Sequence, residues 1–264
     1  MTQLWKKAGE HTILFDCLDG DSVEYLDQMF GDRPEPEETE RHSYYRISIR
    51  KGRMRNEGVD TIVSRGEKGD WLFDRPDYML RISADYREAD IQFYNYIALR
   101  CAMINWYSAI AARLNWGLVV HASCLIQNGE AHLFAGVSGT GKTTVACLSY
   151  PRKLLSDEAA IVKLSDDSRV IVYDSPMRSD LFTPAPLPSV PLKAIYLLKQ
   201  SADIRTRRMT RSEAMLALFD KIWYWPHNRA DAAKVVRLCK QLAERVPVYE
   251  LEFQKNDLFW REIS

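Results

Sequence analysis

Gly136-Val137-Ser138-Gly139-Thr140-Gly141-Lys142-Thr143 is a complete G-x-x-x-x-G-K-[ST] motif, and it decides how the rest of the chain is read. The hydrophobic run Ala131-His132-Leu133-Phe134-Ala135 leads into it, and a helix is expected to open at its end. That strand, loop and helix order is what phosphate binding requires. The glycines let backbone N–H groups converge on phosphate oxygens, and a helix N-terminus adds partial positive charge. Lys142 is suited to neutralising β- and γ-phosphates, and the Thr143 hydroxyl to ligating Mg²⁺. Gly136, Ser138, Gly139, Thr140, Gly141, Lys142, Thr143 and Thr144 are therefore expected to hold ATP with Mg²⁺.

Phosphoryl chemistry also needs carboxylates, and Leu154-Leu155-Ser156-Asp157-Glu158 supplies two. Lys153-Leu154-Leu155 reads as a short strand about fifteen residues beyond Lys142. A strand beside the loop would deliver Asp157 and Glu158 to the carboxyl edge of the sheet, where ligands bind in open α/β folds. Asp157 can accept the proton of an incoming hydroxyl or hold Mg²⁺, with Glu158 taking the other duty. A charged turn between two strands is the plain alternative. His121 lies in Leu118-Val119-Val120-His121-Ala122, one strand before the loop. It is either a satisfied core histidine or a partner that bonds Asp157.

Working outward, GLVVHASCLIQ (117–127) and AHLFAG (131–136) flank Asn128-Gly129, a strong hairpin signal because both residues tolerate positive φ. Downstream, AAIVKL (159–164), RVIVYD (169–174), LKAIYLLK (192–199) and VPVYELEF (246–253) read as strands. Ser212 to Ala243 shows helical spacing interrupted at Pro226, and PMRSDLFTPAPLPSVP (176–191), with five prolines, reads as an extended connection. Upstream, Thr12 to Tyr94 reads as β-rich, with YYRISI (44–49), WLF (71–73) and YMLRIS (78–83) as strands. GDRPEPEETE (31–40) carries five acids and two prolines and is expected to be an exposed, disordered loop. Tyr94 to Leu114 has the three- and four-residue apolar spacing of one long amphipathic helix. The fold class is α/β, or α+β over the whole chain. A phosphate-loop domain of mixed sheet and flanking helices (117–264) follows a smaller β-rich domain (1–116).

Composition narrows the partners. At 264 residues with 46% hydrophobic side chains, the chain can bury about three quarters of its unfolded surface. The 36 basic and 36 acidic residues cancel, which argues against a protein that coats nucleic acid or an anionic membrane. Residues 1–116 carry 16 basic and 20 acidic side chains, and residues 117–264 carry 20 and 16, so the positive half is the one with the phosphate loop. The N-terminus has no signal-like apolar core and no apolar run reaches bilayer length, so the cytoplasm is expected. Five scattered cysteines form no metal- or redox-type pair.

Together, V-V-H-A-S (119–123), G-V-S-G-T-G-K-T-T (136–144) and L-L-S-D-E (154–158) resemble the HPr kinase/phosphorylase superfamily in order and spacing. The resemblance implies a phosphate-loop kinase fold related to ATP-dependent phosphoenolpyruvate carboxykinase, which transfers the ATP γ-phosphate to a protein serine. It implies that His121 and Asp157 form the proton-handling pair, with Glu158 as second acid and Thr143 on Mg²⁺. The layout of the chain looks most like compact relatives that accompany ribosomally made peptides. Among these, lasso-peptide precursor kinases phosphorylate a serine at the precursor's C-terminus.

A transferring phosphoryl group normally meets a further cation, and Arg178, just past a strand end, is the candidate. Arg205, Arg207, Arg208 and Arg211 either dock an anionic substrate or form a solvated face. Trp223-Tyr224-Trp225 is expected to pack in the core or between two copies of the chain rather than to anchor a peptide. Three functions fit these residues: a kinase acting on a serine of a peptide or small protein, a small-metabolite kinase, and a non-catalytic ATP-dependent regulator. The paired acids favour an enzyme, because a pure sensor has less need of a proton acceptor.

Overall fold

The computed structural model describes residues 1–54, 60–164, 166–179 and 186–263. They form fifteen strands and six α-helices in two compact units. The first unit comprises Met1–Ile110 and the short later segment Trp225–Arg229. The second takes residues from Ala111 to Ser179, Leu187–Tyr224 and Ala230 to Ile263. Part of the proline-rich connection, residues 180–185, lies outside the described residues.

The first unit begins with the antiparallel pair β1 (Thr2–Ala8) and β2 (His11–Cys17), followed by helix α1 (Gly20–Phe30) and β3 (Tyr44–Lys51). Strands β4 (Ile62–Arg65), β5 (Trp71–Arg75), β6 (Tyr78–Ile82) and β7 (Glu88–Phe93) form a meander that joins β3 through β7. The sheet order is β1-β2-β3-β7-β6-β5-β4, with β2, β3 and β7 parallel. Alternation is clearest on β3, where Tyr45, Ile47 and Ile49 are buried and Arg46 is exposed.

The region is β-rich as expected, with helix α1 as an element the strand pattern did not announce. Asp19 accepts a hydrogen bond from the Ser22 backbone N–H at 2.8 Å, and Ser22, Leu26, Met29 and Phe30 then bury one face. The acidic stretch 31–40 departs from the disordered loop expected. It runs into a 3₁₀ turn at Glu38–His42, where Glu40 pairs with Lys7, Arg41 pairs with Glu35, and the Arg41 guanidinium lies 4.9 Å from the Trp5 ring. Opposite charges, one nearby at Arg41 and one on β1 at Lys7, compensate two of the acids that composition alone sums as repulsive.

Helix α2 (Tyr96–Arg113) is the long helix expected, but it is buried on nearly every side rather than amphipathic. Leu99, Met103, Trp106, Tyr107 and Ile110 are all within 1% of fully buried. An all-round apolar helix belongs inside a protein. Among its polar groups, Asn105 donates to the Tyr78 hydroxyl at 3.1 Å and the Ser108 hydroxyl to the Asn105 backbone carbonyl at 2.8 Å, while the buried Oδ1 of Asn105 accepts no hydrogen bond among the described residues.

The second unit holds β8 (Gly117–Gln127), β9 (Glu130–Ala135), α3 (Lys142–Leu148), β10 (Leu154–Ser156), β11 (Ala159–Leu164) and β12 (Val170–Tyr173). It continues with β13 (Val190–Gln200), β14 (Arg205–Arg208), α4 (Arg211–Phe219), α5 (Arg229–Arg245), β15 (Val248–Phe253) and α6 (Phe259–Ile263). The β8–β9 turn has φ of 53° at Asn128 and 80° at Gly129, the left-handed pair the sequence signalled. Two eleven-residue strands, β8 and β13, each change partners along their length. The first half of β8 pairs with β11 and the second half with β9 and β10. β13 pairs first with β12, then with β9 and β15. The pairings β8-β9-β13-β12-β11-β8 therefore close a five-strand ring.

Within this unit β9, β13 and β15 are parallel, and β10, antiparallel to β8, runs in the same sense as β9. Their carboxyl ends, at Ala135, Ser156, Gln200 and Phe253, thus share one edge. Helix α4 starts with a reciprocal cap between Thr210 and Glu213, and α5 buries Val235, Leu238, Cys239 and Leu242. The chain between them, containing Pro226, is not helical, as the interrupted pattern implied.

Candidate functional site

The edge just described is where the sequence-predicted residues meet. The phosphate loop leaves β9 at Ala135 and turns with positive φ at Gly139 (81°) and Gly141 (109°). A Cβ on Gly136 would stand 2.3 Å from the Thr140 hydroxyl oxygen, and one on Gly141 2.8 Å from Cζ of Phe253. A side chain at Gly136 would have to displace Thr140, and one at Gly141 would have to displace the Phe253 ring and adopt a backbone conformation that favours glycine. The loop is braced from neighbouring strand ends. Gln200, at the end of β13, donates to the carbonyls of Gly139 and Thr140 at 3.2 and 3.4 Å. From β8, the buried Ser123 hydroxyl donates to the Lys142 carbonyl at 3.1 Å and fixes the start of α3.

Lys142 is 7% exposed, and its ammonium donates to the carbonyls of Gly136 and Val137 at 3.0 and 3.3 Å, so the amine curls over its own loop. Burial pulls its pKa below the ordinary lysine value; the negative charge of Glu158 opposes this and the positive charge of Lys221 adds to it. Thr143 is exposed and Thr144 half-buried on the first turn of α3.

Asp157 and Glu158 follow β10 immediately. Ser156 donates to the Ala122 carbonyl at 3.4 Å, and the Ala122 N–H donates to the Glu158 carbonyl at 3.2 Å, tying this turn to β8 beside His121. Asp157 is fully buried. One of its oxygens accepts the Ser179 backbone N–H at 2.9 Å and the other the Ser179 hydroxyl at 2.6 Å. Ser179 reaches it because the Ser175 N–H donates to the Leu155 carbonyl at 3.0 Å, docking the chain after β12 against β10.

His121 does not pair with Asp157, the partner that the family resemblance implied and one of the two readings its sequence position left open. Its Nε2 lies 3.5 Å from Oε1 of Glu158, whose side chain is 25% exposed. The physical reason is position: Asp157 points into the buried Ser179 pocket, whereas Glu158 stands next to Ala159, the residue opposite His121 in the β8–β11 register. Burial first, then the charges of Lys142 and Lys221, push the His121 pKa down to about 4. The imidazole is therefore neutral at pH 7.

Arg178 is 8% exposed, and its charge is already matched: it pairs with Asp174 and donates through Nε to the Ser175 carbonyl at 3.0 Å. Arg205 and Arg207 lie on β14 and form exposed ion pairs with Asp203 and Glu213, the solvated-face alternative. Trp223 belongs to the site: its ring centre is 4.7 Å from that of His121, and its indole N–H donates to the Glu158 carbonyl at 3.4 Å. Sequence reasoning missed Gln200, Ser179 and Lys221, since none sits in a motif. A proximity argument from the carboxyl ends of parallel strands would have found Gln200.

The donors suit a nucleotide with a hard cation. Thr143, Asp157 and Glu158 offer oxygen only, the chemistry Mg²⁺ takes alongside phosphate oxygens. Among the described residues no group of three or more His, Cys, Asp or Glu is arranged to hold a metal by itself, and no helix is long and apolar enough to cross a membrane.

No curated protein matches the chain. A family profile described as SynChlorMet cassette protein ScmC matches residues 90–264, a span that runs from β7 to the end of the sequence and includes every residue of the site above. By that match, over about two thirds of its length, the chain belongs to the ScmC family.

Proposed function

We propose that the protein is a Mg²⁺- and ATP-dependent kinase that transfers the γ-phosphate to a serine hydroxyl of a peptide or small protein. The observation that carries this reading is that the phosphate loop, Lys142, two adjacent carboxylates and a neutral histidine gather at the carboxyl edge of one sheet. A sensor needs the loop, Lys142 and one carboxylate for the cation; a second carboxylate beside a neutral histidine is what a reaction that moves a proton adds.

On this reading the backbone of 136–141 and Lys142 hold the triphosphate of the substrate ATP. Thr143, with Asp157 or Glu158, would hold the cation, which would supply positive charge against the phosphates of the nucleotide. Asp157 is the fixed acid, both oxygens oriented by Ser179. Glu158 is the more accessible carboxylate and takes the serine proton on its own oxygen as the serine Oγ bonds to phosphorus and ADP departs. His121, uncharged and 3.5 Å from Glu158, holds that carboxylate in place, with Trp223 packed on the imidazole ring. Lys142 stays with the leaving phosphates and stabilises their charge.

The acceptor class rests on the resemblance of the three motifs to HPr-kinase-like proteins, the lasso-peptide precursor kinases above all, which points to a C-terminal serine. The test is γ-labelled ATP with peptides encoded beside the gene, each paired with a version whose terminal serine is alanine. Label in the serine peptide alone, lost in Lys142→Ala, is the expected result. Label confined to small molecules would make the protein a metabolite kinase. Saturable ATP binding without turnover would make it a regulator.

A further inference from the structure

Lys221 is a buried lysine, its side chain 11% exposed, in the non-helical chain after α4. Residues Lys221–Trp223 run antiparallel along the first half of β8. The His121 N–H donates to the Lys221 carbonyl at 2.7 Å, Val120 bridges Ile222, and the Trp223 N–H donates to the Val119 carbonyl at 2.8 Å. This register sets Lys221 directly opposite His121. Opposite residues of an antiparallel pair leave the sheet on the same face. Trp223, opposite Val119, is on that face too, and its ring indeed lies against His121. On the other edge of β8 the residue opposite His121 is Ala159, next to Glu158. Lys221 and Glu158 therefore flank His121 from two sides. The ion-pair partner of Lys221 is Asp220, whose side chain is 62% exposed.

We propose that Lys221 is a further catalytic residue, the second ammonium of the site, which meets the phosphoryl group as it passes from the triphosphate to the acceptor. This rests on the kinase reading above and gives Lys221 the place that sequence assigned to Arg178, whose charge Asp174 occupies. Asp220 is a displaceable counter-ion, because its own carboxylate is 62% exposed and is solvated when the lysine turns to another anion.

The experiment compares wild type, Lys221→Met, Lys221→Arg and Asp220→Asn in the full chain, each checked for a cooperative unfolding transition. It has two readouts, affinity for inorganic tripolyphosphate by calorimetry and the rate of phosphoryl transfer. The expected result is a roughly tenfold weaker tripolyphosphate affinity and a roughly hundredfold lower kcat in Lys221→Met, with Lys221→Arg recovering much of both. Asp220→Asn, which frees the ammonium, strengthens tripolyphosphate binding severalfold. Tripolyphosphate affinity unchanged in Lys221→Met and Asp220→Asn overturns the proposal and makes the pair structural. Normal transfer in Lys221→Met removes Lys221 and leaves the kinase standing. Lysine-dependent tripolyphosphate binding without any transfer keeps the cation site and removes the kinase. A wild type that binds no tripolyphosphate removes both.

Discussion

His121 and Glu158 meet at 3.5 Å as a neutral imidazole and a carboxylate, not as an ion pair, because burial and two lysines hold His121 at about 4. A neutral ring beside a carboxylate can donate one hydrogen bond without competing for the proton that the carboxylate is to receive. Replacing Glu158 with Gln keeps the shape and removes that acceptor. Glu158→Gln is expected to lower kcat by about 10²- to 10⁴-fold with little change in ATP affinity. Single-turnover transfer from labelled ATP measures it; a variant that keeps the wild-type rate would move the proton acceptor to Asp157.

The phosphate loop gives a sharper structural prediction. Gly141 has φ 109°, and a methyl group there would meet the Phe253 ring at 2.8 Å. Gly141→Ala must either open the loop or push the Phe253 ring aside, and it is strained by the positive φ in either case. It is expected to weaken ATP binding at least tenfold and to destabilise the fold by about 1–3 kcal/mol. By contrast, Lys142→Ala removes the ammonium without backbone strain. It should abolish ATP binding at a smaller stability cost. Calorimetry and urea unfolding on the two variants separate these outcomes.

Ser179 donates both its N–H and its hydroxyl to the fully buried Asp157. In Ser179→Ala the backbone donor remains and the hydroxyl is lost, leaving one carboxylate oxygen short of a charge-assisted hydrogen bond. The expected cost is about 1–3 kcal/mol in urea unfolding. Ser179→Thr, which keeps the hydroxyl, should recover most of it. Equal losses in both variants would mean that the hydroxyl is incidental.

How much of this could be read in advance depends on where each contact is encoded. The β8–β9 hairpin, the phosphate loop and the acids after β10 are local patterns in which spacing and turn chemistry decide the outcome, and they stand where the sequence set them. Helix α1 was missed because its cap, Asp19, and its buried face are spread among acids that look like a loop. The pinned 31–40 segment was missed because its charge partners, Lys7 and Arg41, lie outside the stretch whose composition was read. Lys221 was invisible for a related reason. It reaches the site only because a non-helical segment pairs with β8, a contact spanning about a hundred residues of sequence with no motif at either end.

His132 carries the prediction on pH. It lies on β9, 4% exposed, stacked on Tyr196 at 5.9 Å with the edge of Trp260 at 5.4 Å. Burial lowers its pKa from 6.5 to about 4; Glu130 opposes this, and Lys193 and Arg152 add to it. Above pH 6.5 the ring is neutral in both folded and unfolded chains and pH has no effect through it. Between 6.5 and about 4 the unfolded chain takes up a proton that the folded one refuses, so stability falls as pH falls. The loss is about 1.4 kcal/mol per pH unit and levels off below pH 4. His121 adds a parallel loss over the same window. His132→Gln removes one of the two contributions while keeping a polar side chain for the Tyr196 hydroxyl, which lies 3.4 Å from Nδ1. Wild type should be the more stable protein at pH 7, where the neutral ring packs against Tyr196 and Trp260, and the proton linkage should shrink that advantage by about 2–3 kcal/mol by pH 4.5. Urea unfolding of both proteins at pH 7, 5.5 and 4.5 reads this directly. Stability curves that fall in parallel would mean that His132 is protonated as readily in the folded chain as in the unfolded one.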